Sequence, residues 1–261
     1  RWILRAILDT RSPTPQAHGF VKGRSIATGA APHTGQGTAI NLDLRDFFPS
    51  VSWARVRGLF ASMGHGSAVA TALAMLCTEP VREGCTLRER VLPQGAPTSP
   101  AITNALCSRL DARLDSLARS HGFTFTRYAD DLTLSGPRTH PKRVDRLVRS
   151  MRAVLLSEGF AENPAKTRVM RAWQSHEVTG LTVNCKVTVP RSYYRALRAT
   201  LHNCEKHGFT SQNRTKHPDF VGMLRGKVEF VASVDASRGA KLREGLSRAV
   251  NRWNSSGFQQ K

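Results

Sequence analysis

In the stretch FTFTRYADDLTLSG, Phe123 to Gly136, an alternation of apolar and polar residues is interrupted by two adjacent carboxylates, Asp130 and Asp131, and then resumes. The pattern predicts two strands joined by a tight turn. An Asp pair at such a turn is common in a surface hairpin, because its side chains satisfy turn amides and tolerate unusual φ. A second run, AINLDLRDFFPSV, changes that reading. There Asp43 closes a buried apolar strand just ahead of Phe47 and Phe48. With the two strands side by side, Asp43 and Asp130 reach the same edge of one sheet. Carboxylates gathered in this way repel and raise one another's pKa unless divalent cations sit among them. Two Mg²⁺ roughly 3.5 to 4 Å apart, held by acidic oxygens and substrate phosphates, are the recurring machinery for in-line displacement at phosphorus. One cation activates the attacking hydroxyl and the other stabilises the leaving pyrophosphate.

The charge balance narrows what such an edge would meet. Lys and Arg total 39 against 19 Asp and Glu, a formal net charge of +20 in 261 residues. So large an excess costs self-repulsion and points to a polyanion, nucleic acid, rather than to small metabolites. The five cysteines, at positions 77, 85, 107, 185 and 204, are odd in number and include no CxxC pair, which predicts reduced thiols in a cytoplasmic setting. His202, Cys204, His207 and His217 match no standard zinc spacing. The chain has no apolar run of about 18 residues and no signal-peptide pattern, so neither a membrane partner nor secretion is expected. It opens on Arg1 in the amphipathic RWILRAIL, without an initiator Met, which predicts a preceding segment.

Three regimes follow one another, with no internal repeat. From Arg1 to about Thr38 a short helix leads into HGFVKGRSIATGAAPHTGQGT, a stretch of Gly, Pro and small residues shaped by backbone demands. From Ala39 to about Pro190 strand-like runs (AINLDL, FTFTRYA, LTLS, TRVMRA, EVTGLTVN, KVTV) alternate with helical ones. Among the helical runs, PAITNALCSRLDARLDSLARSHG reads as one continuous helix. That is an α+β layer with helices on one sheet face. From Arg191 onward the chain reads as helices studded with Lys and Arg, suited to gripping a nucleic-acid backbone.

NLDLRDFFPSV, LPQGAPTSPAITNAL, RYADDLTLSG, GFAENPAKTRV and VTGLTVN resemble, in order and spacing, the palm motifs of reverse transcriptases. Within that superfamily the chain is most similar to bacterial retron enzymes: HGFVKGRSI leads into GAAPH, close to the NAxxH signature, and VTG at Val178 to Gly180 matches the second one. Gly29 stands where the Asn of NAxxH is usual. The resemblance spans about Trp2 to Leu246. It implies a right-hand polymerase fold with partial fingers (1–38 and 52–96, their N-terminal part missing), a palm of antiparallel sheet backed by helices (39–51 and 97–189) and a helical thumb (190–261).

Site roles follow from the resemblance position by position. Asp43 and Asp130 are implied as the main metal ligands, Asp131 as the third carboxylate, and the backbone carbonyl of Leu44 as part of one metal shell. The ions are two Mg²⁺, with Mn²⁺ as a substitute. Phe48, five residues after Asp43, falls where a bulky side chain meets the sugar 2′ position and favours dNTP over rNTP; plain core packing beside Phe47 is the other reading. Gln94 and Gly95 would line the nucleotide pocket, and Arg24 would meet triphosphate or template phosphates. Lys166 corresponds to the lysine that protonates or pairs with the leaving pyrophosphate. Trp173 and Gly180 correspond to the hairpin that grips the primer end. His33, within the signature region, is implied in RNA contact or in the shape of the scaffold.

The implied activity is RNA-directed DNA polymerisation, a nucleotidyl transfer. It would extend a 3′ or 2′ hydroxyl of an RNA primer on a structured noncoding RNA, leaving a small DNA joined to RNA. An accessory effector protein and a part in antiphage defence belong to the same implication. The alternatives are a group II intron-like reverse transcriptase and an RNA-binding scaffold that restrains an effector.

Overall fold

The computed structural model describes residues 1–82, 86 and 89–255; of the five thiols, Cys85 lies outside them. By internal contacts the chain divides into two compact units, Arg1–Thr179 and Gly180–Lys261.

The first unit opens with α1 (Trp2–Ala6), a 3₁₀ turn and α2 (Ile26–Ala30), whose Ser25 and Thr28 form a reciprocal capping box. β1 (Thr38–Asp43), α3 (Trp53–Ser62) and α4 (Ser67–Cys77) come next, followed by the short pair β2 (Glu79–Pro80) and β3 (Arg90–Val91). After them come α5 (Ser99–Leu106), α6 (Ser108–Ser120), β4 (Thr124–Tyr128), β5 (Asp131–Gly136), α7 (Pro141–Ser157), β6 (Arg168–Arg171) and β7 (Glu177–Val178). The helix expected to run unbroken from Pro100 is divided at Cys107. One turn earlier the Thr103 hydroxyl donates to the Ser99 carbonyl at 2.9 Å, a back-bond that bends helices.

The central sheet has the order β4-β5-β1-β6, antiparallel throughout. Strand periodicity sorts its residues between two faces. Ile40 and Leu42 of β1, Leu132 and Leu134 of β5 and Phe125 of β4 share the face that packs on Leu110 and Leu114 of α6 and on Leu147, Met151 and Leu155 of α7, all buried in one cluster. Truncating any one of these leucines to Ala would cost about 2–5 kcal/mol. The register puts Asn41, Asp43, Asp131, Thr133 and Ser135 on the opposite, polar face. An α+β layer with helices on one face of an antiparallel sheet is the expected class.

The second unit contains β8 (Leu181–Thr182), α8 (Arg191–His207), α9 (Phe209–Gln212), α10 (Phe220–Val234) and α11 (Ala236–Ser255). Leu197, Leu201, Leu224, Val228, Val231, Leu242 and Leu246 form its buried interior. The expected strand KVTV yields a single bridge, Thr188 with Thr182, before Pro190 leads into α8. No helix among the described residues is long and apolar enough to cross a membrane.

Candidate active site

Tyr128 pairs with Asp131, which leaves Ala129 and Asp130 as a two-residue turn between β4 and β5. Ala129 sits at φ +56, a region that non-glycine residues enter at a cost of order 1 kcal/mol or more. A buried polar network holds it there. The Arg127 guanidinium, fully buried, makes a two-pronged pair with the equally buried Asp111 of α6 at 2.6 and 2.8 Å. It also donates to Asn104 Oδ1 at 3.0 Å and to the Ala129 carbonyl at 3.2 Å. Asn104 Nδ2 in turn donates to the Gly19 carbonyl at 3.0 Å. Gly19 lies flat against the turn, where any Cβ would overlap the Ala129 amide. The Thr14 hydroxyl donates to Asp111 Oδ2 at 2.5 Å, and the backbone of Gln16 and His18 brackets Arg127. Gly19, Asn104, Asp111 and Arg127 were not among the residues expected from sequence. The signal for Arg127 was present: alternation places it in phase with Phe125, on the core face, where a charge requires a partner.

The strands deliver the carboxylates as expected. Asp43 stands directly opposite Asp131 in the β1–β5 register, and the Leu44 amide donates to the Asp130 carbonyl at 3.0 Å. Leu44 is extended and bridged to Glu162, so its carbonyl lies on the same edge as its amide, toward the turn. The segment after α7 is stitched to this edge by Asn163 N to Asp43 O and Arg45 N to Ala161 O, both 2.8 Å. It thereby brings Lys166 Nζ to 3.0 Å from Asp43 Oδ1. Burial, and then the neighbouring Asp43 charge, raise the pKa of Asp130. Burial followed by the Asp130 and Asp43 charges pushes Asp131 up to about 6. Hydrogen bonding to Asp43 raises that of Lys166.

Among the described residues no three or more His, Cys, Asp or Glu side chains close into a ready-made ion cage. Mg²⁺ is ordinarily bound by one or two carboxylates, with substrate phosphates and water completing the shell. The buried Asp43 and the half-buried Asp130 and Asp131, in mutual repulsion and with Lys166 on Asp43, are hard oxygen donors that fit this ion class.

The remaining expected residues are distributed as follows. Phe48 is half-buried, its ring 5.3 Å from Phe47 and 6.2 Å from Phe20. Gln94 and Gly95 are exposed in the loop after β3, Gly95 at φ +93. Arg24 and Trp173 depart from expectation, and His33 takes the second of its two expected parts, the shape of the scaffold. Arg24 turns its guanidinium inward, bonding the carbonyls of Thr14 (2.6 Å), Pro15 (3.1 Å) and Ala17, so it braces the loop that leads to Gly19. His33 is fully buried between Ser135 Oγ (2.6 Å) and Thr126 Oγ1 (2.7 Å), which makes it scaffold and leaves no ring edge for RNA. Trp173 and Gly180 do not share a place. Asn41 Nδ2 donates to the Glu177 carbonyl at 2.7 Å, so the chain approaching the Thr179–Gly180 turn runs beside the aspartate half of β1. Both turn residues have positive φ, as a two-residue hairpin of the primed kind requires. Trp173 follows Arg171, which pairs with Thr38 at the other end of β1, about 17 Å from Asp43 at ~3.3 Å per residue.

A family model described as reverse transcriptase (RNA-dependent DNA polymerase) matches residues 3–223. The chain is 42% identical over 262 residues to the retron Mx162 reverse transcriptase of Myxococcus xanthus, covering 92% of this chain and 53% of that protein. Against the retron Mx65 reverse transcriptase of the same organism it is 49% identical over 249 residues, covering 92% and 57%. Against the retron Ec86 reverse transcriptase of Escherichia coli the figures are 35% over 253 residues, 97% and 73%. The chain thus spans a little over half the length of the two myxococcal relatives.

Proposed function

The chain belongs to the reverse transcriptase family, in its retron branch, and from that premise we propose that it is an RNA-directed DNA polymerase that copies part of a structured noncoding RNA from dNTPs. The observation that carries the reading is the meeting of Asp43, Asp130 and Asp131 at one sheet edge with Lys166 on Asp43. Asp43, Asp130, Asp131 and the Leu44 carbonyl would hold two Mg²⁺, or Mn²⁺ in their place. Bound there with the nucleotide, the ions would supply hydroxyl activation and charge neutralisation at the transferring phosphoryl group.

The protein's own groups do the rest. The β4–β5 turn fixes Asp130 and Asp131 beside Asp43, where an incoming triphosphate would settle, and preorganised acids cost no reorganisation during the reaction. Lys166 is exposed, and Asp43 keeps it protonated, so it can leave that carboxylate for the pyrophosphate and give up its proton there. Phe48, packed on Phe47 and Phe20, has little freedom to swing away, and a fixed ring beside the sugar disfavours a 2′ hydroxyl. Gln94 and Gly95 complete the nucleotide pocket. Gly180 lets the primer backbone pass close to the hairpin turn. Residues 1–38 and 52–96 would supply the fingers, 39–51 and 97–189 the palm and 190–261 the thumb. The cognate RNA, its DNA product, an accessory effector protein, a cytoplasmic setting and a part in antiphage defence belong to the same proposal.

The test is extension of an RNA-templated primer with dNTPs and Mg²⁺, with Asp130→Asn as control. Synthesis lost in the variant but present in the wild type supports the reading. Equal incorporation by both refutes it. Sequencing of co-purifying nucleic acid decides the retron part: a branched RNA–DNA species supports it, and cellular RNA with no attached DNA counts against it.

A further inference from the structure

Trp173 is 74% exposed and follows Arg171, which pairs with Thr38 at the end of β1 away from Asp43. It does not stand alone. With Gly37, Thr38, Arg138, Thr139, His140, Pro141, Arg171 and Ala172 it lines a cleft of about 380 Å³. Three of those residues are cationic or can become so, and none is acidic. The walls are built rather than loose. Gly37 N donates to the Gly136 carbonyl at 2.9 Å, Thr139 N to Thr38 Oγ1 at 3.4 Å, and one Arg171 nitrogen to the Thr139 carbonyl at 3.4 Å. Gly37 is packed so closely on the Arg138 backbone that a Cβ would collide with it. His140 Nδ1 accepts from Lys142 N at 3.3 Å, which leaves the outer ring nitrogen as a donor.

We propose that this cleft binds an unpaired nucleotide of RNA, its base stacked on the Trp173 indole and its phosphates held by Arg138 and Arg171, as a holding site separate from the aspartate edge. A preformed aromatic face with adjacent cations is what single-stranded nucleic acid selects, because every base offers a π-face and every linkage a charge. The +20 chain as a whole draws the polyanion in, and the cleft gives it one ordered contact. The inference rests on the nucleic-acid reading above but not on catalysis, since the site lies about 17 Å along the strand from Asp43.

The experiment measures fluorescence anisotropy of the full chain with two probes, a labelled oligouridine of about 12 nucleotides and a blunt-ended RNA duplex. Trp173→Ala should weaken oligouridine binding about ten-fold, as loss of one stacked base does, and leave the duplex within two-fold. Trp173→Phe should restore most of the loss, because a ring face remains. Arg138→Ala and Arg171→Ala should each lower the slope of log K against log salt by about one. Oligouridine affinity unchanged in Trp173→Ala overturns the proposal, as does equal weakening for both probes. Thermal melting of each variant separates binding from folding, and Trp173→Ala should match wild type because Trp173 is exposed. Failure of wild-type primer extension would sink the polymerase reading alone. Failure of the tryptophan effect would sink the cleft alone.

Discussion

Removing Asp111 should damage this protein in two separable ways. In Asp111→Ala the Arg127 guanidinium keeps its place with no exposure and loses both prongs of its pair. An uncompensated buried charge costs about 3–5 kcal/mol. That is a large share of an ordinary stability of about 5–15 kcal/mol. In a unit of this size it should lower Tm by about 10 °C, at roughly 2–4 °C per kcal/mol. The informative variant is the double exchange Arg127→Met with Asp111→Leu. Replacing a buried ion pair by apolar side chains of similar volume is often neutral or stabilising, so Tm should recover to within a few degrees of wild type. Activity should not follow. The exchange also removes the donor to the Ala129 carbonyl and strands Asn104, so Ala129 is no longer held at φ +56 beside Asp130. A misplacement of about 1 Å at a reacting centre can cost ~100-fold, and kcat should fall about 10- to 100-fold with KM for dNTP changing less. The assay pairs a melting curve with steady-state primer extension. If the double variant regains both stability and full kcat, the network is only structural and the positioning argument is wrong.

Phe48→Ala should raise rNTP incorporation relative to dNTP at least several-fold, measured as the ratio of kcat/KM values; a lower Tm with the ratio unchanged would assign the ring to packing alone. For His33, burial and then the neighbouring His18 depress the pKa to about 3, whereas the unfolded chain titrates near the usual ~6.5. Folded His33 is therefore neutral where the unfolded one binds a proton, so stability is complete above about pH 6.5 and is lost as pH falls toward 3. Between pH 7 and 5 urea unfolding should show about 2 kcal/mol of loss that His33→Asn lacks, and equal losses in both proteins would contradict the assignment.

The strands and their shared edge were legible because period-two alternation in AINLDL and FTFTRYADDLTLSG is a local property, and two short acidic interruptions marked where it ended. What could not be read is what depends on register or on partners distant in sequence. Trp173 reads like a companion of Gly180 because seven positions separate them, but β6 carries the chain to the far end of β1 before it returns. Arg24 and His33 have the chemistry of ligand-binding residues. The fold spends that chemistry on carbonyls and hydroxyls of its own, and the choice is made by burial rather than by residue type. Arg127 could be flagged as a misplaced charge, but its acid sits on a helix face among exposed charges of similar spacing, so no local pattern selects Asp111 over Asp115.

The loop from Thr14 to Gly19 contributes no acidic group to the aspartate edge, but it forms one wall of the turn that does. Minimising the protein by cutting away residues up to Phe20 would thus spare Asp43, Asp130 and Asp131 and still unlatch the hairpin that carries two of them. Engineers who want a smaller chain or a fusion junction should leave that latch in place.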